Sequence, residues 1–394
     1  MKCRRALLVA AFAVASPVCA WQRFVAFGDP TRLVVPSATF DVFGRLVVVA
    51  GPGGLVDNDT IQAVAFAPDG TQRWRSDVAP IPNVFWPAAA ASLPDGDVVL
   101  AGNASLCECS PREYRFTIAR VDGNTGELVW RRTADGAVGG IAVTRTGDVI
   151  VSAGGAVFEL GGEDGTTHWS TASADGDGSV AVDLHGDVIV FTYAALTKRS
   201  GTDGGTLWSI PVARPVHAPL HLLRNGDVLT VERTDMDVRV VRRRGADGGA
   251  RWHVVIPNGD VGIAVAAGRR RRLVVATPLR RAGEAEPTGV AVLRLDPRSG
   301  ATIWRSEVPD ADTRGTSPAV AVDRHGDGVV YADAARAITR LAGRDGLVRD
   351  AIPAYPMVHA VLAVARDGRV ALAGQGRGSR VPDDLAVQVE PPSR

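Results

Sequence analysis

The sequence has few of the residues that disulfide-rich, metal-binding or nucleic-acid-binding proteins rely on. It contains four cysteines in 394 residues, and two of them, Cys3 and Cys19, lie near the N-terminus. No CxxC pair occurs, so the sequence has neither a zinc ribbon nor a haem attachment motif. Basic residues number 44 and acidic residues 43, a net charge of +1 that gives no global attraction to nucleic acid. Beyond the N-terminal segment, no apolar run is long enough for a membrane-spanning helix.

The N-terminus has the pattern of a secretory signal peptide over residues 1–20. Basic residues precede the apolar run ALLVAAFAVA, and VCA then offers small residues for cleavage after Ala20. Two alternatives remain open, a buried N-terminal helix and a bacterial lipoprotein acylated at Cys19. A lipobox has a small residue directly before its cysteine, whereas Val18 stands there. We therefore expect a secreted or periplasmic protein, with an outer-membrane lipoprotein as the alternative.

Removal of this leader would leave two cysteines, Cys107 and Cys109, in the stretch SLCECSP. In an oxidising compartment they could form a small loop disulfide. Two thiols alone make a weak metal site. The sequence therefore predicts a possible disulfide between Cys107 and Cys109, and no metal site.

Tryptophans recur at one position of a repeated turn. The stretch VDGNTGELVW, residues 121–130, has degenerate copies in which a tryptophan follows a turn glycine by four residues. The six tryptophans at this position are Trp74, Trp130, Trp169, Trp208, Trp252 and Trp304. A seventh copy, GRDGLVRD, has Asp350 in place of tryptophan. Such self-similarity at a fixed spacing indicates a repeat architecture.

A second motif alternates with the first. Eight segments such as ASLPDGDVVLAG and VAVDLHGDVIVF place β-branched residues on both sides of a tight glycine turn, which is a hairpin signal. Each hairpin, one alternating strand and one tryptophan strand add up to four antiparallel strands. Four strands repeating at roughly 40 to 55 residues describe a β-propeller blade. The sequence therefore predicts an all-β protein with eight blades.

The two ends of the chain complement each other. The eighth hairpin is followed by one more strand, and the chain then ends without a tryptophan strand. The segment after the leader begins WQRF, which is similar to WRSD at 74 and WRRT at 130. We therefore expect the N-terminal strand with Trp21 to complete the last blade and leave no sheet edge unpaired. Residues 21–394 would form one propeller domain, monomeric in solution.

The repeat resembles that of the quinoprotein-type, PQQ-like-repeat β-propeller superfamily. ARVDGNTGELVW (119–130) and LRLDPRSGATIW (293–304) match its D-x-x-T-G-x-x-x-W pattern. The resemblance implies that the seven tryptophans, Trp21 included, dock neighbouring blades together. It covers the whole mature chain but says little about activity, because fold does not determine function. The pattern is more similar to the non-enzymatic, BamB-like branch than to the dehydrogenases, which are longer and have two directly adjacent cysteines.

The sequence has no motif that predicts catalysis or a cofactor. No nucleophile elbow or phosphate-binding loop is present. The acidic, glycine-rich strings at 174–179 and 324–329 lack the further ligands of an EF-hand and are interpreted as turns. His217 and His221 could share a strand face but have no third ligand for zinc. We therefore predict no catalytic residue, no metal and no cofactor.

Candidate partner-binding residues lie in segments that break the repeat. IPNVFWP (81–87) and YPMVH (355–359) are predicted to be apolar loops on the rim opposite the hairpin turns, where long connections cluster. GRRRRL (268–273) replaces a Gly-Asp hairpin turn. The candidates are Phe85, Trp86, Tyr355, Met357, Arg269, Arg270, Arg271 and Arg272. Packing of the apolar loops onto the propeller and solvation of the arginines are the alternatives.

The predicted function is that of a secreted or periplasmic propeller that binds protein partners in or outside the cell envelope as a non-catalytic scaffold. One alternative is a quinone-dependent oxidoreductase, which requires acidic and amide side chains at the mouth of the central channel. Another is a glycan- or peptide-binding propeller.

Overall fold

The computed structural model describes most of the chain after residue 20. The described segments are residues 21–25, 33–52, 60–80, 84–105, 114–173, 177–212, 220–233, 237–257, 263–268, 272–279, 289–309, 318–332, 337–354, 357–376 and 385–390. They form 32 strands in eight four-stranded antiparallel sheets, here called blades 1 to 8 in chain order. Within these segments, no helix is long and apolar enough to cross a membrane.

The first half of the chain forms blades 1 to 4, preceded by β1 (Trp21–Val25). Blade 1 consists of β2 (Leu33–Phe40), β3 (Leu46–Pro52), β4 (Thr60–Phe66) and β5 (Gln72–Pro80). Blade 2 consists of β6 (Val84–Ser92), β7 (Val98–Ser105), β8 (Tyr114–Val121) and β9 (Leu128–Asp135). Blade 3 consists of β10 (Val138–Val143), β11 (Val149–Ala153), β12 (Ala156–Leu160) and β13 (Thr167–Ala172). Blade 4 consists of β14 (Ser179–Val182), β15 (Val188–Phe191), β16 (Ala195–Arg199) and β17 (Thr206–Pro211).

The second half forms blades 5 to 8. Blade 5 consists of β18 (His221–Leu222), β19 (Val228–Arg233), β20 (Asp237–Arg243) and β21 (Ala250–Pro257). Blade 6 consists of β22 (Ala264–Gly268), β23 (Arg272–Leu279), β24 (Gly289–Leu295) and β25 (Thr302–Pro309). Blade 7 consists of β26 (Ala319–Val322), β27 (Gly328–Ala332), β28 (Ala337–Leu341) and β29 (Val348–Pro353). Blade 8 consists of β30 (Met357–Val364), β31 (Val370–Gly376), β32 (Leu385–Glu390) and β1.

The blades form a closed ring. The first strand of each blade contacts the first strand of the next, and β30 of blade 8 contacts β2 of blade 1. The N-terminal strand β1 pairs antiparallel with β32, from Trp21 opposite Val389 to Val25 opposite Leu385. The predictions of eight blades and of closure by the N-terminal strand are therefore confirmed.

The hydrophobic core lies between the blades. Each of the eight buried clusters combines residues of two neighbouring blades, so every seam of the ring has its own small core. The second strand of a blade is covered on both faces, and all residues of β11 and β27 are buried. This explains why these strands read as continuous β-branched runs rather than alternating ones. The outermost strands, such as β9, are largely exposed.

Two recurring turns connect the strands. In the hairpin turn, the first residue donates from its amide to the carbonyl four residues on, as from Leu93 to Asp97 at 2.8 Å. In the turn before the outermost strand, Gly126 has φ +78° and donates to Asp122 O at 2.8 Å. The Asp122 carboxylate accepts the amides of Asn124 and Thr125. These contacts account for the D-x-x-T-G spacing, because only glycine adopts a positive φ readily.

Candidate functional site

The repeat tryptophans lie at the seams between blades. Each of the six indole N–H groups donates to a backbone carbonyl of the following blade at 2.8–3.3 Å. The acceptors, in order from Trp74 to Trp304, are the carbonyls of Gly123, Gly162, Gly201, Gly245, Pro297 and Gly343. The indole thus covers apolar surface and satisfies its one donor at the same place.

The turn glycine of the next blade packs against the same indole. A Cβ atom on Gly165 would lie 2.9 Å from a ring carbon of Trp130, and one on Gly126 would lie 2.8 Å from the ring of Trp74. Tryptophan and glycine therefore form one docking contact across each of these seams. The side chain of Trp21 lies outside the described residues.

Buried ion pairs accompany the tryptophans. The residue opposite the tryptophan on the third strand is basic in blades 2, 4, 5 and 6, and Arg340 occupies this position opposite Asp350 in blade 7. In three of these blades the cation pairs with the aspartate that follows the hairpin turn. The pairs are Arg120–Asp97 at 2.7 Å, Lys198–Asp187 at 2.9 Å and Arg242–Asp227 at 2.5 Å. Because they fix turns and seams, these carboxylates serve the fold.

Blade 3 breaks this pattern. Glu159 occupies the place of the cation, opposite Trp169, and faces Asp148 and His168. Ligand atoms of the three side chains lie within 4.8 Å of one another, and His168 Nδ1 is 3.6 Å from Glu159 Oε2. Burial, and then the neighbouring Asp148 carboxylate, raise the pKa of Glu159. This trio has the donor types that divalent cations accept, and sequence reasoning missed it because it depends on strand register.

The structure corrects two of the sequence-predicted binding segments. Met357 is fully buried in the core between blades 7 and 8, and its backbone exchanges hydrogen bonds with the Tyr331 hydroxyl. This burial contradicts the exposed rim loop that was predicted for Met357. Phe85 and Trp86 lie in strand β6, which pairs with β7, rather than in a loop. The prediction of a loop here was wrong because the proline-flanked segment continues the inner strand of blade 2.

The remaining predicted residues fall partly outside the described part of the chain. Arg272 is half-buried at the start of β23 and donates to the carbonyl of His325 on blade 7, so it links two hairpin turns. The residues Tyr355, Arg269, Arg270 and Arg271, and the cysteines Cys107 and Cys109, lie outside the described residues.

The wall of the central channel is apolar along its strands. The eight first strands, β2, β6, β10, β14, β18, β22, β26 and β30, contain no Asp, Glu, Asn, Gln, Lys or Arg within their described bounds. Their residues are mostly Ala, Val, Leu, Ile and Gly, with a few hydroxyl side chains and histidines. These strands therefore do not supply the acidic and amide groups that a quinone–metal site would need.

The hairpin turns form one rim, here called the hairpin rim. Neighbouring turns contact each other: Arg369 donates to Gly44 O at 2.8 Å, and Arg45 to Gly96 O at 3.5 Å. The corner arginines of four turns, Arg145, Arg224, Arg324 and Arg366, are exposed.

Acidic and apolar residues complete this surface. The corner aspartates Asp95 and Asp367 each pair with an arginine, at 2.6 and 2.7 Å. Phe43 is 62% exposed and Leu184 49% exposed. The described part of the hairpin rim thus exposes arginine side chains and two apolar side chains on turns that are joined by hydrogen bonds.

Comparison with known proteins identifies the repeat. The family model described as outer membrane protein assembly factor BamB matches residues 57–228 and again residues 114–283, together more than half of the chain. No curated protein sequence matches.

Several solved structures share the fold. The Dos1 propeller is 7% identical over 93% of this chain and 95% of its own, with a TM-score of 0.65. The quinohemoprotein alcohol dehydrogenase ADHIIG from Pseudomonas putida HK5 is 11% identical over 95% and 77%, with a TM-score of 0.57. BamB from Moraxella catarrhalis is 13% identical over 76% and 96%, with a TM-score of 0.44. At identities this low, the similarities to the Dos1 propeller and to ADHIIG are of fold alone.

Proposed function

The chain belongs to the family of the outer membrane protein assembly factor BamB, and from this membership we propose that it is an exported β-propeller that binds other proteins as a scaffold, without catalysing a reaction. The observation that carries the proposal is the hairpin rim. Its turns are tied to one another by side-chain hydrogen bonds, and its corner residues are exposed. Exposed turns on a rigid framework are where proteins commonly place recognition residues.

We propose that the partner presents an acidic surface to the hairpin rim. The exposed arginines Arg145, Arg224, Arg324 and Arg366 favour an acidic protein surface, and electrostatic complementarity of this kind speeds and orients association. Phe43 and Leu184 add apolar area of the type that anchors interfaces. These exposed rim side chains are the ones that we propose a partner contacts.

The test compares two variants of equal charge change. The rim variant changes Arg145, Arg224, Arg324 and Arg366 to Gln. The control variant changes Arg73, Arg75, Arg131 and Arg305, which are exposed on the outermost strands β5, β9 and β25, to Gln. Each protein is used for affinity capture from an envelope extract, with circular dichroism to verify folding.

We expect the wild type and the control variant to recover the same partner, and the rim variant to recover at least about tenfold less. Recovery should also fall as salt is added, because exposed charges are screened. Equal recovery by both variants would remove the rim from the proposal. Capture of no specific protein by the wild type would contradict the scaffold function itself.

Export is part of the same proposal. We propose that residues 1–20 are a cleaved leader and residues 21–394 the propeller domain. Strand β1 begins at Trp21, so cleavage after Ala20 would leave the closing strand intact. Mass spectrometry of the native protein should give a mature N-terminus at Trp21. A chain that retains Met1, or one that is lipidated at Cys19, would contradict cleavage at this position.

A further inference from the structure

A polar cavity lies at the seam between blades 3 and 4. Its volume is about 150 Å³, and its lining includes Arg199 and the hydroxyl side chains of Ser173, Thr192, Thr197 and Ser209. Apolar side chains pack at this seam as at every other seam of the ring, and the polar lining lies beside them. The cavity was not predicted from the sequence.

Arg199 is buried in this cavity and has no acidic partner among the described residues. Only 7% of Arg199 is exposed. Its guanidinium donates from Nη1 to Gly204 O at 3.2 Å and from Nη2 to Ala172 O at 3.0 Å. Its Nε has no hydrogen-bond partner. No carboxylate of the described chain forms an ion pair with Arg199. Burial accordingly lowers the pKa of Arg199, since an unpaired buried charge is costly.

The repeat shows that Arg199 is exceptional at its position. It ends the third strand of blade 4 and pairs with Val188, the first residue of the second strand. The residues at the same register in five other blades are buried and apolar. They are Phe66, Val121, Leu160, Leu295 and Leu341, each at most 2% exposed. Packing alone therefore does not call for arginine here.

Blade 5 has the one other arginine at this register and shows what such an arginine binds. Arg243 pairs with Val228, as Arg199 does with Val188. Its Nη1 donates to Gly248 O, the counterpart of Gly204 O, at 3.4 Å. Its Nη2 donates to the carboxylate of Glu232 at 2.6 Å.

Blade 4 lacks the counterpart of that carboxylate. Glu232 lies four residues after Val228, and the residue four after Val188 is Thr192, which lines the cavity. The Thr192 hydroxyl is engaged locally, with Ala195 N at 3.1 Å and Ala195 O at 3.2 Å. The two blades therefore have arginines at equivalent positions. Arg243 binds a carboxylate of its own chain, whereas Arg199 faces the cavity.

We propose that the cavity between blades 3 and 4 binds a small carboxylate anion, which takes the place at Arg199 that Glu232 takes at Arg243. Arginine and carboxylate match in geometry and form strong charge-assisted hydrogen bonds. Hydroxyl groups of Thr197 and Ser209, 2.9 Å apart, lie on the same lining and can donate to the anion.

The cavity has room for a small ligand. Its volume is about 150 Å³, and the exposed residues Thr206 and Ser209 leave it open to solvent on one side. A cavity of about this volume holds a molecule the size of benzene, so acetate and propionate fit. We therefore expect a short-chain monocarboxylate to bind.

The test measures thermal unfolding and calorimetric binding of the full chain with sodium acetate or propionate, at ionic strength held constant with sodium chloride. Acetamide is the neutral control of the same shape. We expect a saturable rise in the unfolding temperature with either carboxylate and none with acetamide. No rise with acetate, or an equal rise with acetamide or with chloride alone, would overturn the proposal.

Three variants locate the effect. R199L introduces the residue that blades 3, 6 and 7 have at this register, so it is expected to fold and to lose the acetate response. T192E supplies a carboxylate from the chain, as blade 5 does, and should raise the unfolding temperature while abolishing acetate binding. E232T in blade 5 removes the carboxylate from Arg243 and should be destabilised and partly rescued by acetate. Retention of the full acetate response by R199L or by T192E would place the anion elsewhere and overturn the assignment.

Discussion

Replacing Trp130 by alanine tests whether the repeat tryptophans hold the blades together. Trp130 is 8% exposed, belongs to the apolar cluster between blades 2 and 3, and donates to Gly162 O at 2.8 Å. A buried tryptophan removes about 150–250 Å² from water, worth roughly 4–6 kcal/mol at about 25 cal/mol per Å². Alanine keeps part of that burial, so we expect W130A to lower the unfolding free energy by about 3–5 kcal/mol.

Two further variants divide this loss into its causes. W130F keeps most of the ring and removes the indole donor from Gly162 O, which still accepts from Arg120 Nη1 at 2.6 Å, so it should lose only about 0.5–1.5 kcal/mol. D350A changes the one described repeat position that has no tryptophan. The Asp350 side chain is 44% exposed, but its partner Arg340, 3.6 Å away, is buried, so its loss should cost about 1–3 kcal/mol, less than the loss of the indole.

Urea unfolding followed by far-ultraviolet circular dichroism measures all three variants, because this signal does not depend on tryptophan fluorescence. A W130A variant that loses no more than D350A would refute the docking role of the indole. A W130F variant as unstable as W130A would instead assign the stability to the hydrogen bond alone.

Two other predictions concern buried titratable groups. Burial lowers the pKa of His221 from 6.5 to about 4. As pH falls, the unfolded chain therefore binds a proton at this histidine before the folded chain does. The unfolding free energy should fall by roughly 3 kcal/mol between pH 6.5 and pH 4. Urea unfolding across this range should show the slope in the wild type and in H185N, an exposed control, and an unchanged slope in H221N would contradict it. E159R restores the cation that Lys198 supplies in blade 4 and should raise the unfolding free energy at pH 7 by about 1–3 kcal/mol. Because the pKa of Glu159 is raised, its charged form destabilises the folded state. The unfolding free energy that the neutral E159Q gains over the wild type should therefore grow as pH rises above 4.5. If both variants were no more stable than the wild type at pH 7, the argument would be refuted.

The sequence predicted the repeating part of the fold well, because the repeat is local. The turn glycine is fixed by its positive φ within one short motif, and the tryptophan four residues later recurs with it, although the indole that packs on the glycine comes from the preceding blade. Closure of the ring by Trp21 was predictable for a related reason. The last blade lacks an outer strand, and the N-terminal end of the propeller has one strand without a blade. Pairing of the two leaves no sheet edge unpaired, and the structure has this pairing.

Sites formed by register were not predictable in the same way. Met357 follows a proline and a short apolar segment, and this pattern does not distinguish a rim loop from the first residue of a buried strand. Phe85 and Trp86 posed the same difficulty. Asp148, Glu159 and His168 come from three strands or turns of one blade, and their proximity depends on pairing that a linear motif does not encode.

Departures from the repeat are the most informative positions in this protein. A side chain that recurs in blade after blade is explained by docking. Glu159, in contrast, occurs where five other blades have a basic residue, and Arg199 occurs where five other blades have a buried apolar residue. Blade 5 supplies an internal reference for Arg199, because Arg243 keeps its carboxylate within the chain at 2.6 Å. If Arg199 were only a tolerated variation, its burial without a carboxylate would lower the unfolding free energy under all conditions. The variant with leucine at this register would then be more stable than the wild type with or without acetate. The sign of the stability difference between R199L and the wild type, measured with and without acetate, therefore distinguishes a tolerated substitution from a binding site.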